Sequence, residues 1–149
     1  MKLAEALQER ADLNNRIEQI RHRLTINAIV QEGENPPENP QELLKELNSC
    51  IEKLEFLISK INLANCRTMV DGKSLTELLA QRDCLSIKII SYRELVDSAS
   101  RVAQRATKRE IKIQSTVDVK EMQKQIDQLS KELRILDNKI QETNWTTEL

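Results

Sequence analysis

The chain has 149 residues and a formal net charge of −1, and 32% of its residues are charged while 2% are aromatic. This length fits one domain with its own core, and the near-neutral charge provides no general attraction to nucleic acid or to an anionic membrane. The shortage of aromatic residues, together with only 2 glycines and 3 prolines, argues against a β-sandwich and favours long helices.

The first helix is predicted over residues 2–30. Its apolar residues recur at alternating steps of three and four, which is the spacing of a seam between packed helices. Two seam positions are polar, Arg10 and Asn27, and two interpretations stay open: they lie at the edge of the seam, or they fix the register of packing. The seam comprises Leu3, Ala6, Arg10, Leu13, Ile17, Ile20, Leu24 and Asn27.

A second helix is predicted over residues 40–65, because Asn39 is a good N-cap and Pro40 suits the first helical position. The short loop before it contains Gly33 and a proline pair that cannot continue the first helix, so the two helices should form an antiparallel hairpin. Cys50 flanks the second seam and is expected to be a small core residue. This seam comprises Leu44, Leu47, Ile51, Leu54, Ile58, Ile61 and Asn65.

The next connection contains Asp71-Gly72, a strong turn signal, preceded by a candidate short strand at Thr68–Val70. Ser74 and Glu77 have the spacing of a capping box, which predicts a third helix over residues 74–106. A fourth helix is predicted over residues 119–142, after Asp118 as its cap.

Between the last two predicted helices the spacing of apolar residues changes from the helical three-and-four pattern to every second residue. Ile111, Ile113, Val117 and Val119 alternate with polar residues, which predicts a half-buried strand over residues 110–118. A lone strand needs a partner for its backbone groups, and the Thr68 region should lie at the far end of the third helix. The prediction is therefore antiparallel pairing with a second copy of the chain, with those four residues as the oligomer interface.

A basic tract overlaps the start of this strand and comprises Arg101, Arg105, Lys108, Arg109 and Lys112. One interpretation is binding to a nucleic-acid or other anionic backbone. The other, which we favour, is contact with acidic surface on the same or another copy.

Other chemistry is sparse in the sequence. Glu18 and His22 are four residues apart, as in some metal sites, but a second such pair is missing, so a surface contact is the favoured interpretation. Cys66 lies beside a basic residue and is interpreted as a plain reduced thiol. No nucleophile elbow, phosphate-binding loop or dinucleotide motif occurs, so no enzyme activity, metal, cofactor or small-molecule substrate is predicted.

The N-terminal residues become polar at once, and no run of residues is apolar enough to span a bilayer. The three cysteines, Cys50, Cys66 and Cys84, lack metal-ligand or redox-motif spacing. A cytoplasmic location with reduced thiols is therefore expected, without membrane contact.

Four stretches and a short closing one resemble the septicolysin-like family of bacterial proteins. They are residues 1–13, the Asn39-Pro40 helix start with the leucine-rich helix after it, residues 71–83, residues 110–119, and Gln141–Trp145. The resemblance implies a small, mostly helical bacterial protein with no established activity, and the family's name suggests a cytolytic toxin.

Taken together, the sequence predicts an all-α protein of long antiparallel helices with one short β element, forming a single domain over residues 1–149. The function favoured is a non-catalytic, oligomeric structural or interaction module. A nucleic-acid-associated protein is the alternative, and a membrane-active toxin is a second, disfavoured one.

Overall fold

A computed structural model describes residues 1–101 and 111–149. Four α-helices make up most of these residues, and two short strands form a small sheet, so the expectation of a mostly all-α protein is confirmed. The elements are α1 (Leu3–Ile26), α2 (Pro40–Arg67), β1 (Met69–Val70), β2 (Lys73–Ser74), α3 (Leu75–Ala99) and α4 (Val119–Thr146).

The chain forms two compact units. The first comprises Met1–Met69 and Thr143–Leu149, and the second comprises Val70–Glu142. Each unit has its own helix packing, and a single domain over residues 1–149 stays a prediction.

The first unit is built on an antiparallel hairpin of α1 and α2, as the short prolyl loop predicts. Two ion pairs show the antiparallel register: Arg16 Nη2 lies 2.7 Å from a Glu46 carboxylate oxygen, and Arg23 pairs with Glu38. Between the helices lies an apolar core whose burial is the main stabilising contribution. It includes Ala6, Leu13, Ile20, Leu43, Cys50, Leu57 and Ile61.

Helix α1 ends at Ile26, four residues before the predicted end, and Asn27 is its C-cap. The side chain is buried, its Nδ2 donates to the Arg23 carbonyl at 2.8 Å, and its Oδ1 accepts from the Glu38 backbone N–H at 2.9 Å. Both amide groups are therefore used to close the helix and hold the following loop. Of the two polar seam residues, Arg10 is half-buried, while Asn27 is buried and links the end of α1 to the following loop through its side-chain hydrogen bonds.

The pairing of Arg23 with Glu38 makes the hairpin sensitive to acid. The hydrogen bonds from Arg23 lower the pKa of Glu38 below its ordinary value. A carboxylate whose pKa is lower in the folded state contributes stability above its unfolded pKa, and that stability is lost as the pH falls through the folded value. We expect stability to decrease below about pH 4.5, and Glu38→Gln to reduce the size of this decrease.

Urea unfolding at a series of pH values measures this effect. Glu32→Gln is the matched control, because Glu32 lies on the same loop and forms no ion pair within the described residues. A pH profile of Glu38→Gln that superimposes on the wild-type profile would contradict the assignment.

The two ends of the sequence meet in the first unit. The Leu3 N–H donates to the Thr147 carbonyl and the Leu149 N–H donates to the Met1 carbonyl, each at 2.9 Å. The last helix continues four residues past its predicted end, which places Trp145 in its final turn with 52% of the residue exposed.

After α2 the chain forms the hairpin of β1 and β2. Asp71 and Gly72 both have positive φ, 50° and 82°, as a tight two-residue hairpin turn requires. Ser74 then caps α3: its hydroxyl accepts from the Glu77 N–H, and the Glu77 carboxylate accepts from the Ser74 N–H. This capping box is confirmed as predicted.

Helices α3 and α4 run antiparallel in the second unit. Arg93 donates to the Ser130 hydroxyl at 3.3 Å near one end, and Lys139 pairs with Asp71 near the other. The buried apolar side chains of this unit are Leu75, Leu78, Ile89, Ile126, Leu136 and Ile140. Leu129, mid-seam in α4, is only half-buried.

The strand predicted over residues 110–118 is wrong for residues 111–118, which contain no strand, and Glu110 lies outside the described residues. The Ser115 hydroxyl accepts from the Val117 N–H and donates to the Val117 carbonyl. Such local bonds occupy backbone groups that a strand ladder would need. The short strand suggested at Thr68–Val70 does form, as β1.

The third helix ends earlier than predicted, at Ala99. The Ser100 N–H donates to the Val96 carbonyl and the Ser100 hydroxyl donates to the same oxygen, which closes the last turn. The remainder of the predicted helix, residues 102–106, lies outside the described residues.

Candidate functional site

The four residues predicted as an oligomer interface are not held together by a strand. Ile111 is 80% exposed and Ile113 is also exposed, whereas Val117 and Val119 are half-buried. Val119 is already the first residue of α4. The two isoleucines are exposed, but residues 111–118 contain no strand that could pair with a strand of a second copy.

The basic tract is described only at its two ends. Arg101 is exposed and its guanidinium lies 2.6 Å from Asp97, one helical turn earlier, while Lys112 is exposed. Arg105, Lys108 and Arg109 lie outside the described residues. Nucleic-acid binding by this tract stays a prediction.

Of the two candidate metal ligands, Glu18 and His22, the first already has an ion-pair partner. Glu18 pairs with Arg21 at 2.5 Å, and His22 is exposed. Among residues 1–101 and 111–149, no three or more potential ligands cluster as a metal site would require. Cys50 is buried against α1, as predicted for a small core residue, and Cys66 and Cys84 are exposed.

A more distinct surface lies on α2. Leu44, Ile51 and Ile58 follow each other at seven-residue intervals and are 38%, 44% and 40% exposed. Leu47 and Leu54 lie between them and are half-buried. We call these five residues the α2 stripe. Their steps of three and four residues give a continuous apolar seam on one side of the helix.

The α2 stripe is separate from the face that packs on α1. Leu43, Cys50 and Leu57 are buried in the hairpin, and each precedes an exposed stripe residue by one position. One residue corresponds to about 100° of rotation around an α-helix. The helix therefore presents two apolar faces about 100° apart, and the described chain buries one of them.

Polar residues border the outer edge of the α2 stripe. Lys45, Asn48 and Glu55 are all exposed and lie on the side away from α1. An apolar centre with a polar border is the usual composition of a protein–protein contact surface.

Two shallow cavities are weaker candidates. One of about 630 Å³ lies on another face of α2, where the Lys60 ammonium is 5.5 Å from the centre of the Phe56 ring. The other, about 420 Å³ in the second unit, contains the Asp71–Lys139 ion pair over an apolar floor that includes Leu136. The charged groups named in each cavity already contact a ring or each other, whereas the α2 stripe is apolar and open.

The spacing of the stripe residues predicts a core seam, whereas in the structure these residues are exposed or half-buried. The signal was present: α2 carries one apolar series beginning at Leu43 and a second beginning at Leu44, which is more than one neighbouring helix can cover.

The fold and this surface define a small, mostly helical protein with an exposed apolar helix face. The chain belongs to a family of unknown function, DUF6847, whose profile matches residues 10–149. A crystal structure described as a functionally unknown conserved protein from Corynebacterium diphtheriae is similar: it is 39% identical, the match covers 100% of this chain and 98% of that chain, and the TM-score is 0.93. No curated protein matches the chain.

The resemblance to septicolysin-like proteins is wrong, because the matching family and structure are of unknown function and give no septicolysin-like signal. Two of the motifs behind it have structural roles instead: Asp71-Gly72 forms the hairpin turn, and Ser74 with Glu77 caps α3. None of the described helices combines the length and apolar character needed to traverse a membrane.

Proposed function

We propose that the protein is a non-catalytic interaction module that associates with copies of itself to form an oligomer. The observation that supports this is the α2 stripe, an apolar seam of helix-pairing spacing whose outer residues Leu44, Ile51 and Ile58 stay exposed. The stripe consists of leucine and isoleucine side chains, which suit packing against another helix and carry no group for catalysis.

The size of the stripe suggests a reversible association. From Leu44 to Ile58 it extends about 21 Å along the helix, at about 1.5 Å per residue. A contact of this length buries less area than the roughly 1,600 Å² of a standard stable interface, so other exposed apolar residues would add to it in a tight complex. We therefore expect assembly that depends on protein concentration.

Sedimentation velocity on the full chain, from about 1 μM to about 500 μM, tests the proposal. The wild type should increase in mass with concentration, and Ile51→Lys should weaken association by about 100-fold, since it places an unpaired charge in the contact. Circular dichroism should show that both remain helical, because Ile51 is outside the core.

Ile90→Lys is the matched control, since Ile90 is 54% exposed and belongs to α3 of the second unit rather than to the stripe. It should associate like the wild type. A wild type that remains monomeric at every concentration refutes the proposed function, and an Ile51→Lys variant that associates normally removes the stripe from it.

A further inference from the structure

We infer that the occupant of the α2 stripe is the α2 stripe of a second copy, in antiparallel orientation about a two-fold axis at Ile51. This inference rests on the proposed function and specifies the partner and its geometry. Three properties of the stripe support it. Its apolar pattern is symmetric about Ile51 to within one position, and its bordering charges suit one orientation. Its exposed residues also face away from α1, so a second helix can pack there while α1 stays in place.

The first property is the symmetry of the stripe. Leu44 and Ile58 each lie seven residues from Ile51, and Leu47 and Leu54 lie four and three residues from it. Turning a second copy end for end about Ile51 places Leu44 against Ile58 and brings Leu47 to within one position, about 1.5 Å along the helix, of the level of Leu54. Every apolar residue of the stripe then meets another apolar residue, as a self-complementary two-fold contact requires.

The second property is the charge at the border. In the antiparallel arrangement residue 55 of one copy lies level with residue 47 of the other, which places the Glu55 carboxylate near the exposed amide of Asn48, a hydrogen-bond donor, with Lys45 one turn beyond. In a parallel arrangement in register, Glu55 would lie beside Glu55 of the second copy. Like charges opposed across a contact are destabilising, so the border favours the antiparallel orientation.

The third property is the angle between the two apolar faces of α2. The exposed stripe residues Leu44, Ile51 and Ile58 lie about 100° around the helix from the hairpin core, because each of these three follows a buried core residue by one position. A helix at this angle packs beside α2 without displacing α1, in the manner of a corner helix that has two neighbours in a helix bundle. The α1–α2 hairpin is therefore retained in the assembly.

Disulfide cross-linking of the full chain tests the geometry. In a Cys66→Ser, Cys84→Ser background, which keeps the buried Cys50, single cysteines are introduced as Ile51→Cys or Leu44→Cys. On the two-fold axis residue 51 lies against its own copy, so Ile51→Cys should form a covalent dimer under mild oxidation. A disulfide needs its two Cα atoms within about 7 Å, and residue 44 would lie about 21 Å from its own copy, so Leu44→Cys should not cross-link.

Each alternative gives a different pattern. Cross-linking of both variants would establish a parallel pair and overturn the antiparallel assignment. Absence of cross-linking in both, with a wild type that assembles in sedimentation, would place the contact elsewhere while the proposed function stands. A wild type that never assembles refutes the proposed function itself, and this inference with it.

Discussion

Replacing Ile61 by alanine is expected to lower the free energy of unfolding by ~2–5 kcal/mol, because the side chain is fully buried and its removal leaves a cavity. Ile61 is 1% exposed and lies in the core of the α1–α2 hairpin. Urea titration followed by circular dichroism measures the change, at a protein concentration low enough to keep the chain monomeric.

Ile58→Ala is the matched control for this substitution. It removes the same atoms from the same helix one turn earlier, but Ile58 is 40% exposed. Its cost to the fold should be small, since exposed substitutions usually change stability by ~0.5 kcal/mol or less. Association, in contrast, should weaken in Ile58→Ala, so the pair separates residues that hold the hairpin from residues that hold a partner. Equal destabilisation by the two variants would show that the stripe belongs to the core.

The second large effect is expected in the second unit, where Ile89→Ala should also cost ~2–5 kcal/mol. Ile89 is 3% exposed on the inner face of α3, and its neighbour Ile90 points outward. Ile90→Ala therefore tests the same chemical change one position along the chain and should leave the unfolding midpoint nearly unchanged. The assignment of the inner face of α3 fails if Ile90→Ala is the more costly of the two.

The starts of the helices were predictable from sequence because they depend on local chemistry. Asn39 caps α2 through a hydrogen bond from the Gln41 N–H at 2.9 Å, and Pro40 follows at the first helical position. Ser74 caps α3 in the same way. These interactions involve residues within a few positions of each other, so the sequence displays them directly.

The choice of buried face was less predictable. On α2 the series beginning at Leu44 has the regular steps of a core seam, yet the series beginning at Leu43 packs on α1. Both are apolar, and the position of α1 decides between them, which is a tertiary effect that periodicity in one helix does not contain. The presence of two apolar series in one helix was itself the sign that α2 has two apolar faces.

The strand prediction failed for a related reason. Alternation over Ile111–Val119 is typical of a half-buried strand, but alternation specifies a strand only where a neighbouring strand pairs with it. Ser115 instead forms a local turn-like contact with Val117, and Asp118 caps α4 through the Glu121 N–H at 3.1 Å. The segment leads into a helix.

The position of Trp145 in the last turn of α4 has a practical consequence for spectroscopy. It is the only tryptophan of the chain and belongs to the first unit, while the only tyrosine, Tyr92, belongs to the second. Tryptophan emission excited at long wavelength therefore follows the surroundings of the first unit, whereas far-ultraviolet ellipticity follows the helices of both. Coincident melting curves from the two signals would indicate one cooperative transition, and separate curves would reveal two units that melt independently.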